Sequence, residues 1–116
     1  MNKNLKFEIN YTCYETWDDV PENYKHLMTE ARKAKDGSYA PYSNFNVGAA
    51  LLLNNGNVIH GSNQENASYP IGFCAERTAL SAAASLASHE KIKAIAITCS
   101  SAHNPVTTPA APCGIC

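Results

Sequence analysis

Charge is scarce in this chain. Only 16% of its 116 residues are Asp, Glu, Lys or Arg, and they sum to −1 with no cluster of Lys or Arg. Without a basic patch nothing holds a phosphate backbone electrostatically, which argues against DNA, RNA or an anionic membrane surface as the main partner. The expected substrate is therefore small. Long apolar runs are missing too: none approaches the roughly 20 residues that a membrane-spanning helix needs. The opening Met1-Asn2-Lys3-Asn4 is polar and no apolar signal-peptide core follows it, so the expected location is cytoplasmic. There is no internal repeat and no interdomain linker, and this length suits one compact domain. What is present is a 45% share of hydrophobic residues, enough to bury a core. Five cysteines in a reducing compartment read as ligands, catalysts or small core residues before they read as disulfides.

Residues 5–13 alternate, with Leu5, Phe7, Ile9, Tyr11 and Cys13 on one side and Lys6, Glu8, Asn10 and Thr12 on the other. That period of two predicts a half-buried strand in an N-terminal extension, residues 1–17, adding to a sheet edge or a subunit contact. Asp18 and Asp19 are possible helix-start residues, and Tyr24, Leu27, Met28, Ala31 and Ala34 recur at helical spacing up to about Lys35. Val47 to Leu53 is an apolar strand expected to be covered on both faces. Asn55-Gly56 suits a two-residue hairpin turn, and Val58 to Gly61 returns as the partner strand. Polar loops run from Tyr39 to Asn46 and from Ser62 to Phe73. An alanine-rich helix from Cys74 to about Ala87 and a strand from Ile92 to Cys99 follow. The alternation of strands and helices predicts an α/β fold with helices packed on a mixed β-sheet.

The chemistry sits in Cys74-Ala75-Glu76 and Pro112-Cys113-Gly114-Ile115-Cys116. Three thiolates, Cys74, Cys113 and Cys116, leave a tetrahedral zinc with one open position, as catalytic zinc sites have. A carboxylate two residues from the first thiolate can carry protons for a water activated there. Zinc with three thiolates has a net charge of about −1, which opposes ionising that water. Helix N-termini and a nearby cation offset this, and Arg77, about one turn from Cys74, could donate to the thiolates. A redox Cys-x-x-Cys pair finds no thioredoxin-like pattern around it. A closed structural zinc site would need Cys99, Cys13 or a histidine as fourth ligand, and both cysteines are more simply core residues.

The chain resembles the cytidine deaminases of the small three-cysteine zinc type. The resemblance rests on Tyr42 to Ala50 (YSNFNVGAA), Asn63 to Ala67 (NQENA), Cys74 to Ala79 (CAERTA) and Pro112 to Cys116 (PCGIC), in the family's order. It implies a three-layer sandwich holding one Zn²⁺ per subunit on Cys74, Cys113 and Cys116, with Glu76 as the proton shuttle. By the same resemblance the backbone N–H of Ala75 would meet the pyrimidine carbonyl and Phe45 would pack against the base. Asn63 and Glu65 would hold the ribose hydroxyls. The implied reaction is hydrolytic deamination of cytidine or deoxycytidine to the uridine product with release of ammonia, a step of pyrimidine salvage. The implied assembly is a homotetramer with shared active sites, with Tyr69 near a subunit boundary.

Physical chemistry makes an Asn/Glu pair a reasonable reader of sugar hydroxyls, which both donate and accept. Either residue could equally satisfy loop backbone. Two other functions stay open: a deaminase of cytosine antibiotics of the blasticidin S type, and a zinc-stabilised domain without catalysis. Members of the resembling family continue past the last cysteine through a helix and further strands. The expectation is accordingly a catalytic domain over residues 18–116 without its C-terminal part, either a truncated product or part of a longer chain, with weak zinc binding and poor activity if the protein ends at Cys116.

Overall fold

The structure, a computed structural model, describes residues 2–107. A 3₁₀ turn (Trp17–Asp19) precedes helix α1 (Glu22–Lys35), strands β1 (Phe45–Leu53) and β2 (Val58–Ser62), a second 3₁₀ turn (Tyr69–Ile71), helix α2 (Ala75–Leu86) and strand β3 (Ile92–Ser101). β1 lies in the middle of the sheet, in the order β2-β1-β3, and both of its pairings are antiparallel. Among the described residues the ladders are thus antiparallel where a mixed sheet was expected. The reason is topological. The crossover β2-α2-β3 does return a strand parallel to β2, but β1 is inserted between them, so the two parallel strands are not neighbours. A single parallel bridge, Tyr39 to Gln64, occurs outside the strands.

The two helices cover opposite faces of this sheet, giving three layers. Ala50 and Leu52 of β1, with Val58, Ala94 and Ala96, face Leu27, Met28 and Ala31 of α1. Val47, Ala49 and Leu51, with Ile59 and Ile97, face Ala75, Ala79, Leu80 and Ala83 of α2. Period two in β1 meets period 3.6 in each helix, and burying both sides of one strand explains why it is apolar throughout. Leu51 and Leu53 are fully buried, each contributing about 1.5–3 kcal/mol. Gly48 and Gly61 set the spacing. A Cβ on Gly48 would overlap the Ala31 carbonyl and lie 2.5 Å from Lys35 N, and one on Gly61 would overlap the Ala75 carbonyl and lie 2.5 Å from Ala79 N. Each helix therefore rests directly on strand backbone.

The β1–β2 connection is one residue longer than the two-residue turn expected. Gly56 N–H donates to Leu53 O at 3.0 Å, and Leu53 N–H donates to Asn57 O at 2.9 Å. Gly56 takes φ 89° and Asn55 has no positive φ, so a turn followed by a left-handed glycine closes the hairpin. Asp18 and Asp19 belong to the first 3₁₀ turn, and α1 starts after Pro21 without a side-chain cap.

The strand expected over residues 5–13 does not form in this structure. Residues 2–14 carry no regular structure, and Leu5, Phe7, Ile9 and Tyr11 are 73–91% exposed. Alternation gives a segment the capacity to be a strand, but a lone strand leaves its backbone groups without a ladder, and among the described residues none pairs with it. Cys13, expected in the core, is exposed for the same reason. Past this segment, the Arg32 guanidinium stacks 4.3 Å from the centre of the Trp17 ring, tying the first turn to α1.

Candidate active site

A cavity of about 970 Å³ opens between the N-terminus of α2, the start of β1 and the loop after β2. Its α2 wall begins at Cys74, which caps the helix from an extended conformation. Cys74 Sγ accepts the Arg77 N–H at 3.4 Å, and its carbonyl accepts from the Thr78 hydroxyl at 2.9 Å. Ala75 and Glu76 occupy the first turn, are 1% and 7% exposed, and line the cavity. First-turn amides such as that of Ala75 have no partner within the helix. The Arg77 guanidinium lies 4.4 Å from the centre of the Phe73 ring, immediately before Cys74.

The facing wall is made of loop. Phe45 lines it at the mouth of β1 and is 36% exposed. Asn63 is almost buried, its Oδ1 accepting the Val47 N–H at 2.9 Å and its Nδ2 donating to Phe45 O at 2.8 Å. The amide thereby continues the β1–β2 ladder past the last strand residue. Glu65 Oε1 accepts the Tyr42 and Ser43 N–H groups at 3.0 and 3.2 Å, and Oε2 accepts the Ser43 hydroxyl. The Ser43 hydroxyl hydrogen bond is the largest influence and outweighs the opposing effect of burial; with lesser help from the two backbone amides it holds the Glu65 carboxyl below its ordinary value. Tyr69 stands on the cavity rim and is 90% exposed.

Three residues that sequence reasoning left without a role hold this site together. Ser43 fixes Glu65; a serine two residues before the strand, where it can form a local turn, was the available signal. Gln64 and Phe73 exchange two backbone hydrogen bonds, both of 2.8 Å, and so clasp the loop between Glu65 and Gly72. That clasp sets Asn63 and Cys74 at the roots of one loop. Its basis is backbone pairing, which carries no side-chain signature.

Cys113 and Cys116 lie outside the described residues, and among the described residues no three His, Cys, Asp or Glu side chains come together as a metal site. The part of the donor set that is described fits zinc: a sulfur at a helix N-terminus, lining the same cavity as a buried carboxylate.

Fold and cavity together define an α/β/α layer protein with a helix-capping cysteine in its pocket. Residues 21–116 match the family described as the cytidine and deoxycytidylate deaminase zinc-binding region, and the chain belongs to that family. A cytidine deaminase of Halalkalibacterium halodurans is 48% identical over 90 residues, covering 78% of this chain and 64% of its own. One from Mycobacterium tuberculosis is 38% identical over 94 residues, covering 81% and 66%. The crystal structure of cytidine deaminase from Burkholderia pseudomallei superposes with a TM-score of 0.65 at 45% identity, covering 83% of this chain and 71% of that one. The chain thus spans a little under two thirds of the length of the curated relatives it matches.

Proposed function

We propose that this chain carries the catalytic centre of a zinc-dependent deaminase that hydrolyses cytidine or deoxycytidine to uridine or deoxyuridine and ammonia. The observation that carries this reading is the convergence of Cys74, Glu76, Phe45 and Glu65 on one cavity. Cys74, with Cys113 and Cys116, would hold the zinc ion, which when bound supplies an activated water beside C4 of the base. Glu76, buried next to Cys74, takes the proton from that water and delivers it to N3, making C4 more electrophilic. After the C4–O bond forms, Glu76 takes the remaining proton from the new hydroxyl and gives it to the amino group, which leaves as ammonia when the C4–N bond breaks. The Ala75 N–H holds the pyrimidine carbonyl, Phe45 stacks on the ring and Glu65 receives a sugar hydroxyl. Asn63 shapes the start of β1 with its amide and contributes to the sugar subsite from there. Arg77, seated on Phe73, adds positive charge beside the thiolates.

The same reading places the reaction in pyrimidine salvage in the cytoplasm and makes the assembly a homotetramer whose neighbours meet near Tyr69. It takes residues 18–116 as the catalytic part and residues 1–17 as an extension that pairs only on assembly. No helix among the described residues is long and apolar enough to cross a membrane. The test is metal analysis of the purified protein beside an assay of cytidine conversion to uridine. One zinc per chain with turnover is expected. Zinc without turnover of any cytosine nucleoside would replace this reading with a zinc-stabilised domain, and preferential turnover of blasticidin S would redirect its substrate.

A further inference from the structure

We infer that Ser43 is a positioning residue for substrate selection, holding Glu65 so that one acceptor site of its carboxylate is left to receive a single sugar hydroxyl. The inference rests on the nucleoside reading above. Ser43 Oγ accepts the Phe45 N–H at 3.1 Å. With that lone pair engaged, the hydroxyl proton is directed away from Phe45 and onto Glu65 Oε2. Glu65 Oε1 is meanwhile filled by two amides, Tyr42 N–H and Ser43 N–H. An ionised carboxylate offers roughly four acceptor sites. Among the described residues three of them are occupied, and the remaining one lies on Oε2. Ser43 and Glu65 both line the cavity, so a ligand can reach that site.

The arrangement also couples two subsites. Phe45 is the proposed base platform, and its N–H sets the orientation of the hydroxyl that fixes Glu65. A ring and a sugar reader that share one hydroxyl keep a constant separation. Losing the hydroxyl frees both lone pairs of Oε2 and leaves the Phe45 N–H without that acceptor. The lowered pKa of Glu65, for which the Ser43 hydrogen bond is the largest cause, agrees with this geometry. It keeps the carboxylate ionised as an acceptor over the neutral range.

The experiment compares cytidine with 2′,3′-dideoxycytidine on the zinc-loaded protein, in the parent, Ser43→Ala and Ser43→Thr. A hydrogen bond to a charged acceptor predicts that the parent prefers cytidine by about tenfold or more in kcat/KM. Ser43→Ala should shrink that preference about tenfold, chiefly by raising KM for cytidine, and Ser43→Thr should restore it. Equal losses on both substrates would overturn the positioning role and leave the deaminase reading standing. A parent that shows no preference would overturn the sugar-reading role of Glu65 itself. A measurement independent of turnover separates these cases: the Glu65 carboxyl titration, followed by ¹³C NMR. Its midpoint should rise in Ser43→Ala and return in Ser43→Thr, and an unchanged midpoint would overturn the inference whatever the kinetics show.

Discussion

The two walls of the cavity are built by different physics. The α2 wall is a helix resting on Gly61, with Ala75, Glu76, Ala79 and Ala83 buried, so its geometry is set by backbone contact and close packing. The loop wall has little apolar burial of its own. Tyr42, Ser43 and Phe45 are exposed or nearly so, and the wall is held by side-chain hydrogen bonds from Asn63 and Glu65 to main chain. The groups proposed to do chemistry stand on the packed wall, and those proposed to recognise the sugar stand on the stapled one. A packed wall fails as a unit, whereas a stapled wall weakens one bond at a time.

Substitutions and pH should separate the walls in that manner. The largest effect is expected for Glu76→Gln on the packed wall. It keeps the shape and removes the proton carrier, so kcat should fall about 10³-fold or more with zinc content unchanged, read by steady-state kinetics beside metal analysis. Near-parental turnover in that variant would remove Glu76 from the chemistry. Gly61→Ala strikes the same wall through its packing. The added Cβ has backbone on the other side, and the expected loss is about 3 kcal/mol of unfolding free energy by urea titration. A neutral result would mean that α2 shifts more easily than the contacts suggest.

On the stapled wall, Asn63→Ala leaves the Val47 N–H and the Phe45 carbonyl without their partner and should cost about 2 kcal/mol. The smallest effect is the response to acid. Because the folded value for Glu65 lies below its ordinary 4.5, its contribution is fully present above that pH and is lost as pH falls through the lowered value. Hydrogen-exchange protection of the Tyr42 and Ser43 amides should therefore persist at pH 4.5 and drop in stronger acid, while α2 amides stay protected. Simultaneous loss in both walls would erase the distinction between them.

Between Glu22 and Ser101 the elements were legible in the sequence because hydrophobic period and burial agree there. β1 is apolar because both of its faces are covered, and the alanines of α2 fit a helix that touches a glycine. Residues 5–13 carry as clean an alternation as any segment, yet make no strand. Periodicity reports what a segment could bury, and the partner that would bury it is not encoded locally. The antiparallel ladders were hidden for a related reason, since only the strand order reveals that β1 separates β2 from β3. In the site, Cys74 and Glu76 were legible because a cysteine and a carboxylate two residues apart, with a later Cys-x-x-Cys, have the spacing of an open zinc site, whereas Ala75 was marked only by the family resemblance. Asn63 was legible as an important polar residue, but its commitment to the β1 backbone was not. The choice between backbone and ligand depends on which main-chain groups fold beside it.

The backbone clasp between Gln64 and Phe73 has a consequence for change over evolutionary time. It seals the residues from Glu65 to Gly72 into a closed circuit whose two ends meet regardless of what the circuit contains. Lengthening it near Ala67 to Pro70 adds only a slowly growing closure cost, about 0.6 kcal/mol per doubling. Such an insertion would leave the roots at Asn63 and Cys74 where they are. The rim of the cavity can therefore be rewritten, with new lengths and new side chains, while the ground on which the proposed reaction stands is inherited intact.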